Sequence, residues 1–254
     1  MTRETNIFEH AMIDIIVTSY FNYQNLQLLV PKIISEQQFN ALIIVEASND
    51  QNEFKKIVGL IDNLGLTNIV KFVQGTRTLS AGEARNLGVA HSSSKFVAFL
   101  DADDEWEKDR LKNLEPIIEK YDVVVGSYIA VNSDGLIKKR LANKSQLVIQ
   151  DHLCGQTFCA SSIIVEREIV KTIKFWRHRR EDFEWMLRIL NAGHEVYYDT
   201  TASVTWHYKS RSNHIIRKLP RMVDQFRVYR TYYSVRKSIY YWTRYFFRAL
   251  IKWL

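Results

Sequence analysis

SKFVAFLDADDEW, residues 94–106, joins a short apolar run directly to a cluster of carboxylates. The apolar run, residues 96–100, is typical of a strand that is covered on both faces, as in a parallel sheet. Asp101, Asp103 and Asp104 would then lie at the carboxyl end of a central strand, where open α/β sheets bind ligands. The stretch therefore predicts a buried parallel strand with a polar site at its end.

The acidic cluster has two interpretations. Neighbouring carboxylates raise one another's pKa unless a cation or hydrogen-bond donors neutralise them. Because Asp101 and Asp103 are two residues apart, both can face one Mg²⁺ or Mn²⁺ ion, which usually completes its shell with phosphate oxygens. The alternative is a solvated acidic loop that caps a helix starting near Glu107.

The charge of the chain is unevenly distributed. The 254 residues are 46% hydrophobic and 25% charged, which is typical of a globular protein with a full core. The formal net charge is +7, yet residues 211–254 hold eleven Lys/Arg and one acid, so the remaining chain has a net charge of −3. The basicity belongs to the C-terminal segment, and the acidity of the body argues against nucleic-acid binding.

The cysteines and the N-terminus bear on the cellular compartment. Cys154 and Cys159 are the only cysteines and do not suggest a disulfide framework, so a reduced cytoplasmic compartment is expected. Residues 1–12 lack the basic start and apolar core of a signal peptide. The chain also has no window of about 18 uncharged apolar residues that could cross a bilayer.

Strands and helices alternate through the first half of the chain. Strands are predicted at Ile13–Ser19, Ala41–Glu46, 68–74 and 95–100, with helices at 26–34, 51–64 and 80–90. This alternation predicts an α/β fold with a mostly parallel central sheet flanked by helices.

The second half has a mixed pattern. It predicts a helix at 107–119, a hairpin of strands at 122–132 and 136–141, a strand at 158–166, a helix at 180–192 and short strands at 195–198 and 203–207. This layout suits a nucleotide-binding half, residues 1–104, followed by a half, residues 105–210, that receives a second substrate.

Four motifs occur in a fixed order along the chain. They are IIVTSYFNYQNLQLLVPKII at 15–34, IIVEASND at 43–50, AGEARNLGVAHSSSKFVAFLDADD at 81–104 and REDFEWMLRIL at 180–190. By these motifs the chain resembles glycosyltransferase family 2, with its A-type glycosyltransferase fold, over residues 13–210. The resemblance implies an inverting, metal-dependent enzyme of surface polysaccharide synthesis. Such an enzyme moves a sugar from a nucleotide-diphosphate donor to a hydroxyl of a glycan or lipid-linked acceptor.

The resemblance also implies a donor and metal site. Asp101 and Asp103 resemble the family's metal-binding DxD pair, with Asp103 as the direct ligand, and His207 resembles a histidine near the metal and diphosphate. The bound Mn²⁺ or Mg²⁺ would neutralise charge on the leaving group. The residues implied in donor binding are Thr18, Tyr20, Glu46, Arg85, Asn86, Asp101 and Arg211. Since the family often has two aspartates where this chain has Val45 and Glu46, the nucleotide base stays open.

Glu181 and Asp182 resemble the family's ED motif, which supplies the general base. An inverting transfer needs a carboxylate that takes the proton of the acceptor hydroxyl, and the resemblance implies Asp182 in that role beside Glu181. The alternative is that both acids only favour a helix N-terminus. Arg177, Arg179 and Arg180 would hold an anionic acceptor or simply balance the acids.

Residues 221–253 place apolar side chains at steps of three and four, with basic residues largely on the other side, which predicts a long amphipathic helix. Basic helices with aromatic flanks lie in the headgroup region of anionic membranes. We therefore expect the tail, residues 211–254, to hold the enzyme peripherally on the inner face of the membrane. The alternative is a helix pair packed on the body or in a homodimer.

Three other functions are alternatives to this interpretation. A sugar-phosphate nucleotidyltransferase usually has a Gly-rich phosphate loop after the first strand, where this chain has TSYFNYQN, residues 18–25. A non-catalytic nucleotide-sugar binder would keep the donor site without the base. A nucleic-acid-binding protein would use the basic tail and show a strong salt dependence.

Overall fold

The computed structural model of this protein describes residues 13–36, 38–135, 137–141, 144–155, 158–208 and 219–251. Arg211, expected at the donor site, lies outside these residues. The first half contains β1 (Ile13–Ser19), α1 (Tyr23–Ile34), β2 (Ala41–Glu46), α2 (Gln51–Asn63), β3 (Val70–Gln74), α3 (Ala81–Ala90) and β4 (Phe96–Asp101). The second half contains β5 (Glu105–Trp106), α4 (Arg110–Ile118), β6 (Val123–Asn132), β7 (Ile137–Arg140), α5 (Ile149–Leu153), β8 (Ile164–Glu166), α6 (Arg167–Thr172), α7 (Glu181–Asn191) and β9 (Val196–Tyr208). The tail contains α8 (Leu219–Tyr232) and α9 (Val235–Ile251).

The first half forms the predicted parallel sheet. β1 pairs in parallel with β2 and β4, and β2 pairs in parallel with β3. Every residue of β1 and β2 is buried, as their largely apolar sequences predicted, and β1 also buries Asp14. The register places Thr18 opposite Asp101 and Ser19 opposite Glu46, so polar side chains meet at one edge of the sheet.

The helices of this half begin at capping residues that the sequence contains. The Asp50 side chain accepts hydrogen bonds from the backbone N–H groups of Asn52 and Glu53 at the start of α2. Ser80 and Glu83 form a capping box at the start of α3. These local hydrogen bonds explain why the predicted starts of these two helices are correct to within one residue.

The second half departs from the prediction in several places, among them the short strand β5 and the helices α5 and α6, which the sequence pattern did not predict. The strand predicted at 158–166 is reduced to β8, which follows a 3₁₀ turn at Ala160–Ser162. The two final strands are one strand, β9, which runs parallel to β6 with a register shift between Gly126 and Tyr128. The polar residues between the two predicted strands lie at this register shift, where the Asp199 carboxylate accepts hydrogen bonds from the backbone N–H of Thr201 and from the Ser203 hydroxyl.

The sheet has nine strands in the order β3-β2-β1-β4-β8-β6-β9-β5, with β7 paired to β6. One hydrophobic cluster lies between the sheet and the helices α3, α6 and α7. A second cluster lies between the other face of the sheet and the helices α1, α2 and α4. The predicted α/β architecture with helices on both faces is therefore confirmed.

The tail folds as two helices rather than as the single long helix expected from its periodicity. Val228 and Tyr229 of α8 pack against Leu153, Phe183 and Leu187 of the body, and α9 packs on α8. The helix pair on the body, one of the two alternatives, is what the described residues form. No helix in the described part of the chain has both the length and the apolar character needed to cross a membrane. The domain boundary at residue 210 stays a prediction, because 209–218 lie outside the description.

Candidate active site

Two neighbouring cavities open at the carboxyl ends of β1 and β4. The first cavity has a volume of about 480 Å³, and its lining includes Thr18, Tyr20 and Asp101. The second cavity, of about 560 Å³, lies against α1. Asp103 and His207 line both cavities, so the strand end singled out by the sequence is the place where the two cavities meet.

Asp101 is held by two donors at the end of β4. Its Oδ1 atom accepts a hydrogen bond from Thr18 Oγ1 at 2.6 Å and one from Arg85 Nη2 at 2.8 Å. The side chain of Arg85 is almost completely buried, and its Nη1 atom donates to Glu181 Oε1 at 3.1 Å. One buried cation therefore connects the first cavity to the start of α7.

Neighbouring carboxylates keep the buried Arg85 side chain protonated. Burial by itself lowers the pKa of Arg85, but the carboxylates of Asp101 and Glu181 more than offset this and raise the pKa above its usual value. The guanidinium is thus a permanent positive charge that two acids share. Arg85 is not among the residues that line the two cavities, so its direct contact with the donor stays a prediction.

Glu181 and Asp182 occupy the first turn of α7 but have different surroundings. Burial and then the charge of Asp182 raise the pKa of Glu181, while Arg85 opposes the rise. The Asp182 Oδ1 atom accepts a hydrogen bond from the backbone N–H of Phe183 at 2.7 Å. Of the two acids, Glu181 is the one held by the buried arginine, and its geometry suits support rather than proton transfer.

Asp104 is the buried member of the acidic turn and fixes it to neighbouring segments. It is buried and accepts hydrogen bonds from the Ser161 hydroxyl and from the backbone N–H of His207, the latter at 3.0 Å. Burial and the charge of Asp101 raise the pKa of Asp104 well above its usual value. Asp104 therefore ties the turn to β9, a role that the sequence pattern did not distinguish from that of its acidic neighbours.

Asp103 and His207 fit the expected metal. Asp103 is exposed at the junction of the cavities. His207 Nε2 is buried and makes no hydrogen bond within the described residues, although Glu105 Oε1 lies 3.5 Å away. A carboxylate oxygen and an imidazole nitrogen are suitable ligands for Mn²⁺, and phosphate oxygens and water usually fill the rest of such a shell.

The three-residue ligand set expected from the sequence is not assembled. The described residues contain no group of three or more His, Cys, Asp or Glu side chains arranged to hold a metal ion. The hydrogen bonds of Asp101 direct one of its carboxylate oxygens to Thr18 and Arg85. The geometry therefore favours Asp103 and His207 as ligands, with Asp101 as a neighbouring charge.

Glu46 lies behind the first cavity and is not among its lining residues. It is completely buried, and its carboxylate accepts hydrogen bonds from Ser19 Oγ at 2.7 Å and from the backbone N–H of Ser48 at 2.9 Å. Glu46 thus shapes the turn that carries Tyr20. Its direct contact with the donor stays a prediction that this geometry does not favour.

Asn86 has a similar supporting geometry between α3 and α7. Its side-chain amide donates to the carbonyl of Phe175 at 2.8 Å and accepts from the backbone N–H of Phe175 at 3.0 Å. A Cβ atom at Gly82 would lie 2.9 Å from the carbonyl oxygen of Trp176. Gly82, which the sequence reasoning did not single out, is therefore required for the close approach of α3 to the segment before α7.

A comparison with protein families identifies the family of this chain. Residues 14–173 match the model of the family described as Glycosyl transferase family 2. The chain belongs to this family. It is a glycosyltransferase, as the resemblance implied, and three of the four ordered motifs lie within the matched residues.

Two curated relatives are named enzymes. The glycosyltransferase is 25% identical over 190 residues to the amylovoran biosynthesis glycosyltransferase AmsB of Erwinia amylovora. That match covers 70% of this chain and 62% of AmsB, so the chain spans less than two thirds of this relative. The second is the UDP-Glc:alpha-D-GlcNAc-diphosphoundecaprenol beta-1,3-glucosyltransferase WfgD of Escherichia coli, 22% identical over 185 residues that cover 70% of each chain.

A solved structure shares the fold of this glycosyltransferase. It is the crystal structure of S. aureus TarS 1–349 in complex with UDP-GlcNAc, with a TM-score of 0.66 and 16% sequence identity. The match covers 92% of this chain and 71% of that chain. The likeness confirms the A-type glycosyltransferase fold.

Proposed function

We propose that this glycosyltransferase is an inverting, metal-dependent enzyme of the hexosyltransferase type. It transfers a sugar from a nucleotide-diphosphate donor to a hydroxyl of a glycan or lipid-linked acceptor, in the synthesis of a surface polysaccharide. The observation that carries the proposal is the chain of contacts Asp101–Arg85–Glu181, which joins the end of β4 to the first turn of α7. These contacts support a donor site at the end of β4 and a proton acceptor at the start of α7 within one framework.

The donor is proposed to occupy the first cavity. Thr18 and Tyr20 line it on the β1 side, and Asp101 and Asp103 line it at the end of β4. The related TarS fold was crystallised in complex with UDP-GlcNAc, which supports a nucleotide sugar here. A bound Mn²⁺ or Mg²⁺, held by Asp103 and His207, would neutralise charge on the leaving diphosphate.

Asp182 is proposed to act as the general base. It takes the proton of the acceptor hydroxyl while that oxygen forms its bond to the anomeric carbon. The bond to the diphosphate oxygen breaks on the opposite face of the sugar, and its electron pair leaves with the diphosphate. Glu181 does not serve as the base in this proposal, because Arg85 holds its carboxylate.

The acceptor and the location of the enzyme complete the proposal. The name of WfgD describes a diphosphoundecaprenol-linked acceptor, which supports a lipid-linked acceptor for this chain. A lipid-linked acceptor lies in a membrane, so a peripheral position on the cytoplasmic face suits the enzyme. The excess of Lys and Arg in the tail favours the same position.

Donor binding can be tested by thermal unfolding with UDP-, GDP- and dTDP-sugars, each with and without Mn²⁺. A ligand that binds only the folded state raises the melting temperature, so one donor class should stabilise the protein, and more so with Mn²⁺. Asp103→Ala should remove the Mn²⁺-dependent part. Asp62→Ala, on the exposed side of α2, is the matched control and should behave as wild type. An equal shift in both variants would refute the metal role of Asp103.

A further inference from the structure

The α8–α9 hairpin exposes apolar and basic side chains together. Four large apolar or aromatic residues of α9 are more than half exposed: Val235 at 53%, Ile239 at 51%, Tyr240 at 54% and Phe247 at 56%. Four basic residues of the same helix are also exposed: Arg236, Lys237, Arg244 and Arg248. We call these eight residues the outer face of the hairpin.

The outer face is continuous with the packed side of the hairpin. Trp242 contacts Phe226 of α8 edge-on at 6.1 Å between ring centroids and stacks on Phe246 at 5.7 Å. Phe246 in turn contacts Phe247 of the outer face at 5.7 Å. The Trp242 Nε1 atom donates to the carbonyl of Met222 at 2.9 Å, which fixes α9 on α8. The exposed rings therefore belong to an ordered aromatic surface.

The charge of the hairpin points to an anionic partner. Its residues 219–251 contain seven Lys/Arg against the single acid Asp224, which gives a net charge of +6. Asp224 is itself paired with Arg227 at 3.3 Å. A second copy of this surface would bring two hairpins of the same sign together, which is unfavourable.

We propose that the outer face of the hairpin docks on an anionic phospholipid surface. A helix that presents aromatic and aliphatic side chains beside Lys and Arg lies in the interfacial plane of a bilayer. The rings of Tyr240 and Phe247 enter the headgroup region, and Lys237 and Arg248 contact lipid phosphates. Apolar burial and charge act together, which is the combination that stable interfacial binding requires.

The hairpin is fixed to the residue before α7 and to α5 by hydrogen bonds, and it packs on α7 through Phe183 and Leu187. The buried Arg180 Nε atom donates to Gln225 Oε1 of α8 at 2.8 Å, and the Tyr229 hydroxyl donates to the carbonyl of Leu153 at 2.6 Å. Docking therefore sets the orientation of α7 relative to the membrane. This last step rests on the proposed function, since only a lipid-linked acceptor makes that orientation useful.

Vesicle flotation of the full chain tests the docking. The vesicles are made of equal parts phosphatidylglycerol and phosphatidylcholine, or of phosphatidylcholine alone. The wild type should float with the anionic vesicles and much less with the neutral ones. Lys237→Glu/Arg248→Glu should lower the partition coefficient by at least about tenfold, because each basic residue near the surface contributes to binding. Ile239→Ser/Phe247→Ser should lower it similarly.

The control is Lys55→Glu/Lys112→Glu, which makes the same change of charge at exposed positions of α2 and α4 and should float as wild type. The proposal would be overturned if all variants floated equally. It would also be overturned if the wild type did not bind anionic vesicles. Light scattering tests whether the outer face binds a second copy instead. A wild-type dimer that Ile239→Ser/Phe247→Ser dissociates would show such an interface and would also overturn the proposal. Circular dichroism confirms that each variant is folded.

The docking and the proposed function can fail separately. Flotation needs neither donor nor acceptor, so binding without sugar transfer would leave the docking intact and refute the activity. Conversely, Lys237→Glu/Arg248→Glu should keep the rate with a short water-soluble acceptor and lose it with a lipid-linked acceptor in vesicles. Equal loss with both acceptors would contradict a role in docking.

Discussion

Arg85 and Glu181 are 96 positions apart in the chain, yet Arg85 Nη1 lies 3.1 Å from Glu181 Oε1 in the interior of the protein. The same guanidinium binds Asp101 at 2.8 Å. This contact supports the different roles that the sequence resemblance implied for the two neighbouring acids of α7. Glu181 is part of a buried ion pair, and Asp182 is the proposed base.

Asp182→Asn should abolish sugar transfer while leaving donor binding unchanged. Loss of a general base typically costs about 10²- to 10⁴-fold in rate, so kcat should fall by at least that range, and the donor-induced thermal shift should persist. Glu168→Gln, a matched change in the first turn of α6, should have no effect on kcat. Normal turnover by Asp182→Asn would mean that the base is a different residue.

Arg85→Met should destabilise the fold strongly. Removing one partner of a buried ion pair leaves uncompensated charge and typically costs about 3–5 kcal/mol in the free energy of unfolding. Urea denaturation should show this loss. Arg85→Met/Glu181→Gln should recover part of it, because one of the stranded carboxylates is then neutral.

The matched control for Arg85 is Arg77→Met, which breaks the exposed ion pair of Arg77 with Glu83 at 2.6 Å. Exposed pairs contribute little to stability, so the urea midpoint should barely move. If Arg85→Met were as mild as Arg77→Met, the buried pair would have no structural role.

His152 should make the fold sensitive to mild acid. Its ring is stacked on Phe183 at 4.2 Å between centroids, and burial lowers its pKa to about 4, although a hydrogen bond to the carbonyl of Phe183 opposes the shift. Between its unfolded pKa of about 6.5 and this value, the unfolded chain binds a proton that the folded protein does not, so stability falls as the pH falls.

The expected size of this effect is on the order of 3 kcal/mol, since one pKa unit corresponds to about 1.4 kcal/mol. Urea midpoints at pH 7 and pH 5 capture roughly half of it. His152→Phe should show a smaller loss between the two pH values than the wild type does. An identical loss in both proteins would show that other groups cause the acid sensitivity.

Gly82→Ala should reduce both stability and transfer. The new methyl group would lie 2.9 Å from the carbonyl of Trp176 and from Cβ of Phe175, and overpacking of this kind typically costs about 1–3 kcal/mol. The shift of α3 would also displace Arg85, which lies on the same helix. Both effects can be followed by urea denaturation and by the rate of transfer.

Gly59→Ala is the matched control, because a Cβ atom at this position of α2 meets nothing within 4 Å. Alanine in a helix is more favourable than glycine by roughly 0.5–1 kcal/mol, so this variant should be slightly more stable than the wild type. If the two alanine variants were indistinguishable, the close approach at Gly82 would not matter.

The first half of the fold was predictable because its signals are local. The strands β1, β2 and β4 are largely apolar, and α2 and α3 start at caps formed by residues a few positions apart. β9 was not predictable in the same way. Its polar segment after Asp199 interrupts the apolar pattern, and pairing with β6 on both sides of this segment makes one strand of the two predicted ones.

Short-range patterns of burial and capping were enough to specify the parallel α/β half and the acidic turn after β4, and the ordered motifs were enough to identify the family by resemblance. Which acids work together depends instead on long-range packing. Asp101, Arg85 and Glu181 come from distant segments, and only burial of the guanidinium forces them into contact. Packing also determined the arrangement of the tail. An amphipathic pattern requires a partner for its apolar side, but it does not specify whether that partner is a membrane, a second copy or the body itself.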